Sequence, residues 1–241
     1  MITASLLLAL GCTASGPQPP PAASSSPAPL AVSAPHAIPR VVRARRGQGG
    51  QRVVILHGYG ATPEGIIGLM DGYDGDATLL APQGPAPAHS GWSWFPLSRE
   101  VGGPDGLGPG IAEATDELAA WLLDEGVGPQ APVVVTGFSQ GGMLSFALAV
   151  RHPELVALAV PMGGMLPTEL VPQGPPPPDA PPIRAWHGGA DTRVPTALAQ
   201  RTVDSLAAAG WDAQLETVEG AGHTVPGAAR DGLHIAVRGV R

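Results

Sequence analysis

Ser139 stands in Gly137-Phe138-Ser139-Gln140-Gly141, between the β-branched run Val133–Thr136 and the apolar helical pattern Gly141–Val150. A hydroxyl at the bend between two buried elements, with a glycine two residues to either side, has the form of a nucleophile carried on a strained turn. Side chains at the glycine positions would collide with the strand and the helix. The strain leaves the hydroxyl exposed at a helix N-terminus, where the dipole and free N–H groups favour negative charge.

A serine hydroxyl is a weak nucleophile until a histidine takes its proton, and that histidine needs a carboxylate to orient it. In a strand-turn-helix setting of this kind the chain order is Ser, then Asp or Glu, then His. Four histidines follow Ser139. His152 shares the serine's helix, His234 lies in the terminal segment, and His187 ends its own strand and reads as a packed core residue. His223, in the glycine-flanked loop "GAGHT", is the expected base. Asp191, just past the strand "IRAWHG", is the expected carboxylate. Asp179, Asp204 and Asp212 are worse placed, in a Pro-rich loop, on a helix and at the beginning of a strand. Acyl transfer also needs N–H donors for an oxyanion. The N–H of Gln140 supplies one and that of Tyr59, in Leu56-His57-Gly58-Tyr59-Gly60, the other. His57 and Gly58 then shape that loop rather than react.

The elements that must hold these residues alternate along the chain. "QRVVIL", "ATLLAP", "VVVT", "LVALAV", "IRAW" and "AQLETV" read as strands, the last by alternation and the others as short apolar runs. "IAEATDELAAWLLDEGV" puts Ile111, Ala114, Leu118, Trp121 and Leu122 on one helical face. "GGMLSFALAV" and "PTALAQRTVDSLAAAG" are further helices, the latter with proline at its start and glycine at its end. Strands alternating with helices imply right-handed crossovers and an α/β fold with a mainly parallel central sheet covered on both faces. No large cap domain is expected. Ligands bind beyond the carboxyl ends of such strands, where Ser139 lies. "VPQGPPPPDAPP" reads as a surface insertion, and "GAARDGLHIAVRGVR" as a short, weakly amphipathic ending.

Composition narrows the chemistry. The chain has 241 residues and net charge −7, and all 20 Asp and Glu lie beyond Arg46. An acidic domain without clustered cations excludes a nucleic-acid partner. Every basic residue is Arg, so Schiff-base chemistry and a Ser–Lys dyad are excluded. The single cysteine, Cys12, lies outside the folded part, which therefore has no disulfide and no thiol nucleophile. The scattered histidines show no metal-ligand spacing.

Residues 1–15 hold a short apolar run and then Leu10-Gly11-Cys12, a signal segment with a lipobox-like cysteine. Residues 16–46 read as a Pro/Ala/Ser-rich tether ending in the basic stretch Arg40–Arg46. The folded domain is expected over 47–241. The chain is expected to be exported, anchored to a membrane through lipidated Cys12, or otherwise periplasmic or secreted.

These motifs, with Ala81-Pro82-Gln83-Gly84, Gly91-Trp92-Ser93-Trp94-Phe95, His187-Gly188-Gly189-Ala190-Asp191 and Ala221-Gly222-His223, make a specific set. The chain resembles the phospholipase/carboxylesterase family of α/β-hydrolases, which includes acyl-protein thioesterases and small bacterial carboxylesterases. The likeness runs from about Gln51 to about Pro226, roughly three quarters of the chain. It implies hydrolysis of carboxylic or thio-esters by Ser139, Asp191 and His223 without a cofactor. It also implies that Trp92, Trp94 and Phe95 border the acyl site. The expected partner is a small-molecule or lipid ester. Other readings are a lysophospholipase, a polyester or feruloyl-type esterase, a peptidase, and a non-catalytic ligand-binding protein on the same fold.

Overall fold

The computed structural model describes residues 38–97 and 104–240. Seven strands form one sheet in the order β1-β3-β2-β6-β7-β8-β9: β1 Val41–Arg46, β2 Gln51–Leu56, β3 Ala77–Pro82, β6 Val133–Phe138, β7 Val156–Met162, β8 Ile183–Gly188 and β9 Ala213–Val218. All neighbours are parallel except β1, which runs antiparallel to β3. Strands β4 (Ala86–Ala88) and β5 (Gly91–Ser93) form a separate antiparallel hairpin. The helices are α1 Pro63–Ile66, α2 Gly108–Asp124, α3 Gln140–Arg151, α4 Thr196–Ala208 and α5 Gly227–Gly239. The mainly parallel sheet is the one expected from the alternation of apolar runs, and the α/β-hydrolase architecture is the one that the family resemblance implies.

Alternate residues of one strand serve two cores, as the period of two requires. Val54 and Leu56 of β2 join the larger core with Ile111, Leu118 and Leu122 of α2, Leu144 and Leu148 of α3, and Val203 and Leu206 of α4. Val53 and Ile55 face the other way, onto Met70, Tyr73 and Ala229, Leu233 and Val237 of α5. Burial on both faces explains why these strands read as unbroken apolar runs.

Two sequence expectations change. Arg40–Arg46, read as the basic end of a tether, contributes edge strand β1, paired with β3 from Val41↔Pro82 to Arg46↔Ala77. The domain therefore starts before residue 47. Three of its cations meet the domain's own carboxylates, Arg43 with Glu125, Arg46 with Asp71 and Arg40 with Glu64. The terminal segment is also not a weak ending. α5 is a 13-residue helix whose Ala229, Leu233 and Val237 lie four residues apart and seal the second core. Cys12, the signal segment 1–15 and the tether up to residue 37 lie outside the described residues.

The strand order reverses direction at β2, which pairs with β3 on one side and β6 on the other. The two strands end level there, with Leu56 opposite Gly137. Such a switch point opens a crevice at the carboxyl ends of the strands. The loop after β2 and the turn after β6 both empty into it.

Candidate active site

Ser139 sits between β6 and α3 with φ 58° and ψ −115°, a left-handed backbone on a non-glycine residue. The turn has no slack. A Cβ at Gly137 would stand 2.6 Å from the Leu56 carbonyl oxygen, and one at Gly141 would overlap the same atom. The Ser139 N–H donates to the Met162 carbonyl at 3.0 Å, and its own carbonyl accepts from Met143 N–H at 2.9 Å. Strand β7 on one side and helix α3 on the other thus hold a conformation that costs about 1–3 kcal/mol in isolation.

Three expected residues from three loops meet here. Ser139 Oγ lies 3.0 Å from His223 Nε2, and His223 Nδ1 lies 2.7 Å from Asp191 Oδ2. Asp191 follows β8 on a turn in which its N–H donates to the Gly188 carbonyl at 3.1 Å. Its Oδ1 accepts N–H groups from Arg193 at 2.9 Å and Val194 at 3.0 Å. Burial alone would push this carboxyl up. The bonds from His223, Val194 and Arg193 outweigh burial and hold it below its ordinary range. The carboxylate is therefore ionised at neutral pH and fixes His223 Nδ1 as the protonated nitrogen. Nε2 is left as an acceptor facing the hydroxyl. Phe138 packs on the His223 ring at a centroid distance of 4.7 Å. Its position beside the serine in the sequence gave no signal of this contact.

The loop after β2 carries Gly58 and Tyr59 over the serine, where both line the cavity with Gln140. Its shape is set by His57, which is fully buried. The Gly84 N–H donates to His57 Nε2 at 2.9 Å, so Nδ1 carries the proton and donates to the Gly58 carbonyl at 2.9 Å. Burial, opposed in part by the Gly58 bond, pushes the imidazole below its ordinary value and keeps it neutral. The Trp94 indole N–H donates to the His57 carbonyl at 2.9 Å.

Gln140 has a second role that sequence reasoning missed. Its buried amide oxygen accepts from Trp94 N–H at 3.1 Å and Ser93 Oγ at 3.3 Å, and its nitrogen donates to the Phe95 carbonyl at 2.8 Å. The first residue of α3 is thereby tied to the segment that supports the facing loop.

A cavity of about 810 Å³ opens at Ser139 and His223, with an apolar wall of Leu97, Leu107, Met143, Met165, Val194 and Leu198. Trp92, Trp94 and Phe95, expected to border it, do not line it. Trp94 and Phe95 are 4% and 3% exposed, core residues facing an adjoining groove, and Trp92 belongs to the β4–β5 hairpin, bridged to Ala61. Their aromatic character serves the scaffold of the loop. The true wall comes from scattered Leu and Met residues on separate segments, which carry no local pattern. Arg193 lines the same cavity. Among the described residues no group of three or more His, Cys, Asp and Glu is arranged to hold a metal ion.

Comparison with known proteins adds three findings. The family model described as Phospholipase/Carboxylesterase matches residues 36–229. A protein of Nocardia uniformis subsp. tsuyamanensis named "Putative esterase NocK" is 30% identical over 190 residues, covering 68% of this chain and 52% of its own length. The chain thus spans about half the length of that curated relative. Among solved structures, esterase PE8 is similar with a TM-score of 0.71 at 28% identity, over 84% of this chain and 98% of its own. The acyl-protein thioesterase 2 of Zea mays shares the fold, with a TM-score of 0.67 at 22% identity over 83% and 97% of the two chains.

Proposed function

The chain belongs to the phospholipase/carboxylesterase family, and on that footing we propose that it is a serine hydrolase that cleaves carboxylic or thio-esters through an acyl-enzyme. The observation that carries the reading is the continuous hydrogen-bonded chain Ser139–His223–Asp191 beside an apolar cavity.

In this mechanism Ser139 Oγ attacks the ester carbonyl as His223 Nε2 takes its proton. The oxyanion forms against the N–H groups of Gln140 and Tyr59. His223 then gives the proton to the leaving alcohol or thiol, which departs and leaves Ser139 acylated. A water, deprotonated by His223, attacks the acyl-enzyme, and collapse releases the acid and restores the serine. Asp191 stays ionised throughout and stabilises the imidazolium. Oxyanion donors of this kind are worth about 2.7–4 kcal/mol each in comparable enzymes. The apolar wall favours an acyl chain over a charged acid. A non-catalytic binding role has no observation in its favour, because each position of the constellation is filled.

A fluorophosphonate probe tests the reading directly. It is expected to label the protein once, on the peptide containing Ser139, as located by mass spectrometry. Labelling elsewhere, or none on folded protein, contradicts it. Export and lipidation of Cys12 are a separate proposal resting on the N-terminal sequence. Mass spectrometry of the mature N-terminus checks it, and an unmodified Cys12 would end it.

A further inference from the structure

His187 stands one residue before the end of β8 and is 2% exposed. The sequence gives it the look of core filler. Its ring, however, faces two oxygen acceptors. Nε2 lies 2.8 Å from the Val194 carbonyl and 3.3 Å from Asp191 Oδ2. A nitrogen between two acceptors carries the hydrogen, so the tautomer follows from the geometry. The side chains of His187 and Asp191 are each 1% exposed, which leaves water little part in the arrangement.

We propose that His187 is a positioning residue for the Asp191 carboxylate, and that through it His187 sets how firmly His223 is oriented during turnover. This rests on the hydrolase reading above. The carboxylate is gripped on both oxygens. Oδ1 takes the N–H groups of Arg193 and Val194, while Oδ2 takes His223 Nδ1 at 2.7 Å and faces His187 Nε2 at 3.3 Å. The loop that supplies those donors is held by the same ring, since His187 binds the carbonyl of Val194 whose N–H binds Oδ1.

Thr196 Oγ1 closes the loop by donating to the Gly188 carbonyl at 2.6 Å. Rotation of the carboxylate away from His223 would cost two buried bonds and expose Oδ2 to no replacement donor. A leucine in place of His187 would fill much of the volume but leave the Val194 carbonyl without its donor. The titratable or charged side chains facing Asp191 are then His187 from β8, His223 from the loop after β9, and Arg193 at the cavity. Releasing the Val194 carbonyl loosens the Arg193–Val194 turn whose N–H groups fix Oδ1, so the carboxylate holds His223 Nδ1 less firmly.

The test uses the full chain with His187→Leu and His187→Gln, the glutamine amide reaching the position of Nε2. Two readouts are taken. One is kcat and KM on p-nitrophenyl butyrate. The other is the low-field NMR resonance of the proton between His223 Nδ1 and Asp191. His187→Leu is expected to lose about tenfold or more in kcat with KM little changed. The resonance also shifts. His187→Gln is expected to recover most of both. A leucine variant with wild-type kcat and resonance overturns the proposal. If the leucine variant does not fold, His187→Asn, whose shorter amide cannot reach the Val194 carbonyl, takes its place under the same criteria. If folded wild-type protein hydrolyses no ester, the hydrolase reading fails instead, and the resonance alone still decides whether His187 acts on the Asp191–His223 pair.

Discussion

The Trp94 indole stacks on the His57 imidazole at a centroid distance of 4.9 Å and an interplanar angle of 28°, and donates its N–H to the His57 carbonyl at 2.9 Å. That carbonyl belongs to the peptide leading into Gly58 and Tyr59, so the indole steadies the proposed oxyanion donor from beneath. Trp94→Phe keeps the ring contact and removes the bond. It is expected to cost about 1–3 kcal/mol of stability through the unpaired carbonyl, with a fall in kcat larger than any change in KM. Chemical denaturation and steady-state kinetics check this, and an unchanged kcat would separate Trp94 from the site.

His57 gives the fold a defined response to acid. Its folded pKa is depressed below the ordinary 6.5, chiefly by burial. The unfolded ring takes up a proton as the pH falls through about 6.5, whereas the folded ring resists until lower pH. Between those values the unfolded state binds more protons, so stability drops as the pH falls and is restored above 6.5. His57→Gln, whose amide oxygen reaches the position of Nε2 and can accept from Gly84 N–H without titrating, is expected to lose less of its thermal midpoint between pH 7.5 and pH 5.5 than wild type. Parallel curves for the two proteins would contradict the assignment.

The placement of the cavity wall predicts which residues set acyl-chain preference. Met165→Trp fills apolar space beside Ser139 and is expected to move the optimum of a p-nitrophenyl ester series to shorter chains. Trp92→Ala changes the hairpin and is expected to leave the optimum where it was. The opposite pattern would return the pocket to the aromatic segment.

Edge strand β1 predicts where the domain can be cut. A chain beginning at Ile38 keeps the β1–β3 pairing, whereas one beginning at Gly47 bares the edge of β3 along Ala77–Pro82. An unprotected edge pairs with other chains. The shorter form is expected to melt lower and to aggregate on size-exclusion chromatography. Equal midpoints and a monomeric profile for both would show β1 to be dispensable.

What could be read from the sequence followed local physical constraints. Strands buried on both faces appear as apolar runs, and helix α2 announces its face through Ile111, Leu118 and Leu122. Ser139 is marked by the glycines at 137 and 141, each needed because the Leu56 carbonyl lies against it. His223 and Asp191 were reachable because chain order and strand ends limit the choices, and the fold brings both to Ser139.

Other features were not legible. β1 has a weak alternation, Arg43, Ala44, Arg45, masked by its charge and by the proline-rich sequence before it. The amphipathic α5 rests on only three large or small apolar residues at a spacing of four. The cavity wall is assembled from Leu97, Leu107, Met143, Met165 and Leu198, which neighbour one another only after folding. The side-chain ties of Gln140 and the second contact of Asp191 with His187 depend on tertiary placement in the same way.

The central claim, that Ser139 is the nucleophile of an esterase, is tested most directly by comparing wild-type chain with Ser139→Ala on a p-nitrophenyl ester series. Wild type is expected to turn over, and the variant to lose up to about six orders of magnitude in kcat, with a thermal midpoint close to wild type. Equal activity in the two folded proteins would contradict the account at its centre.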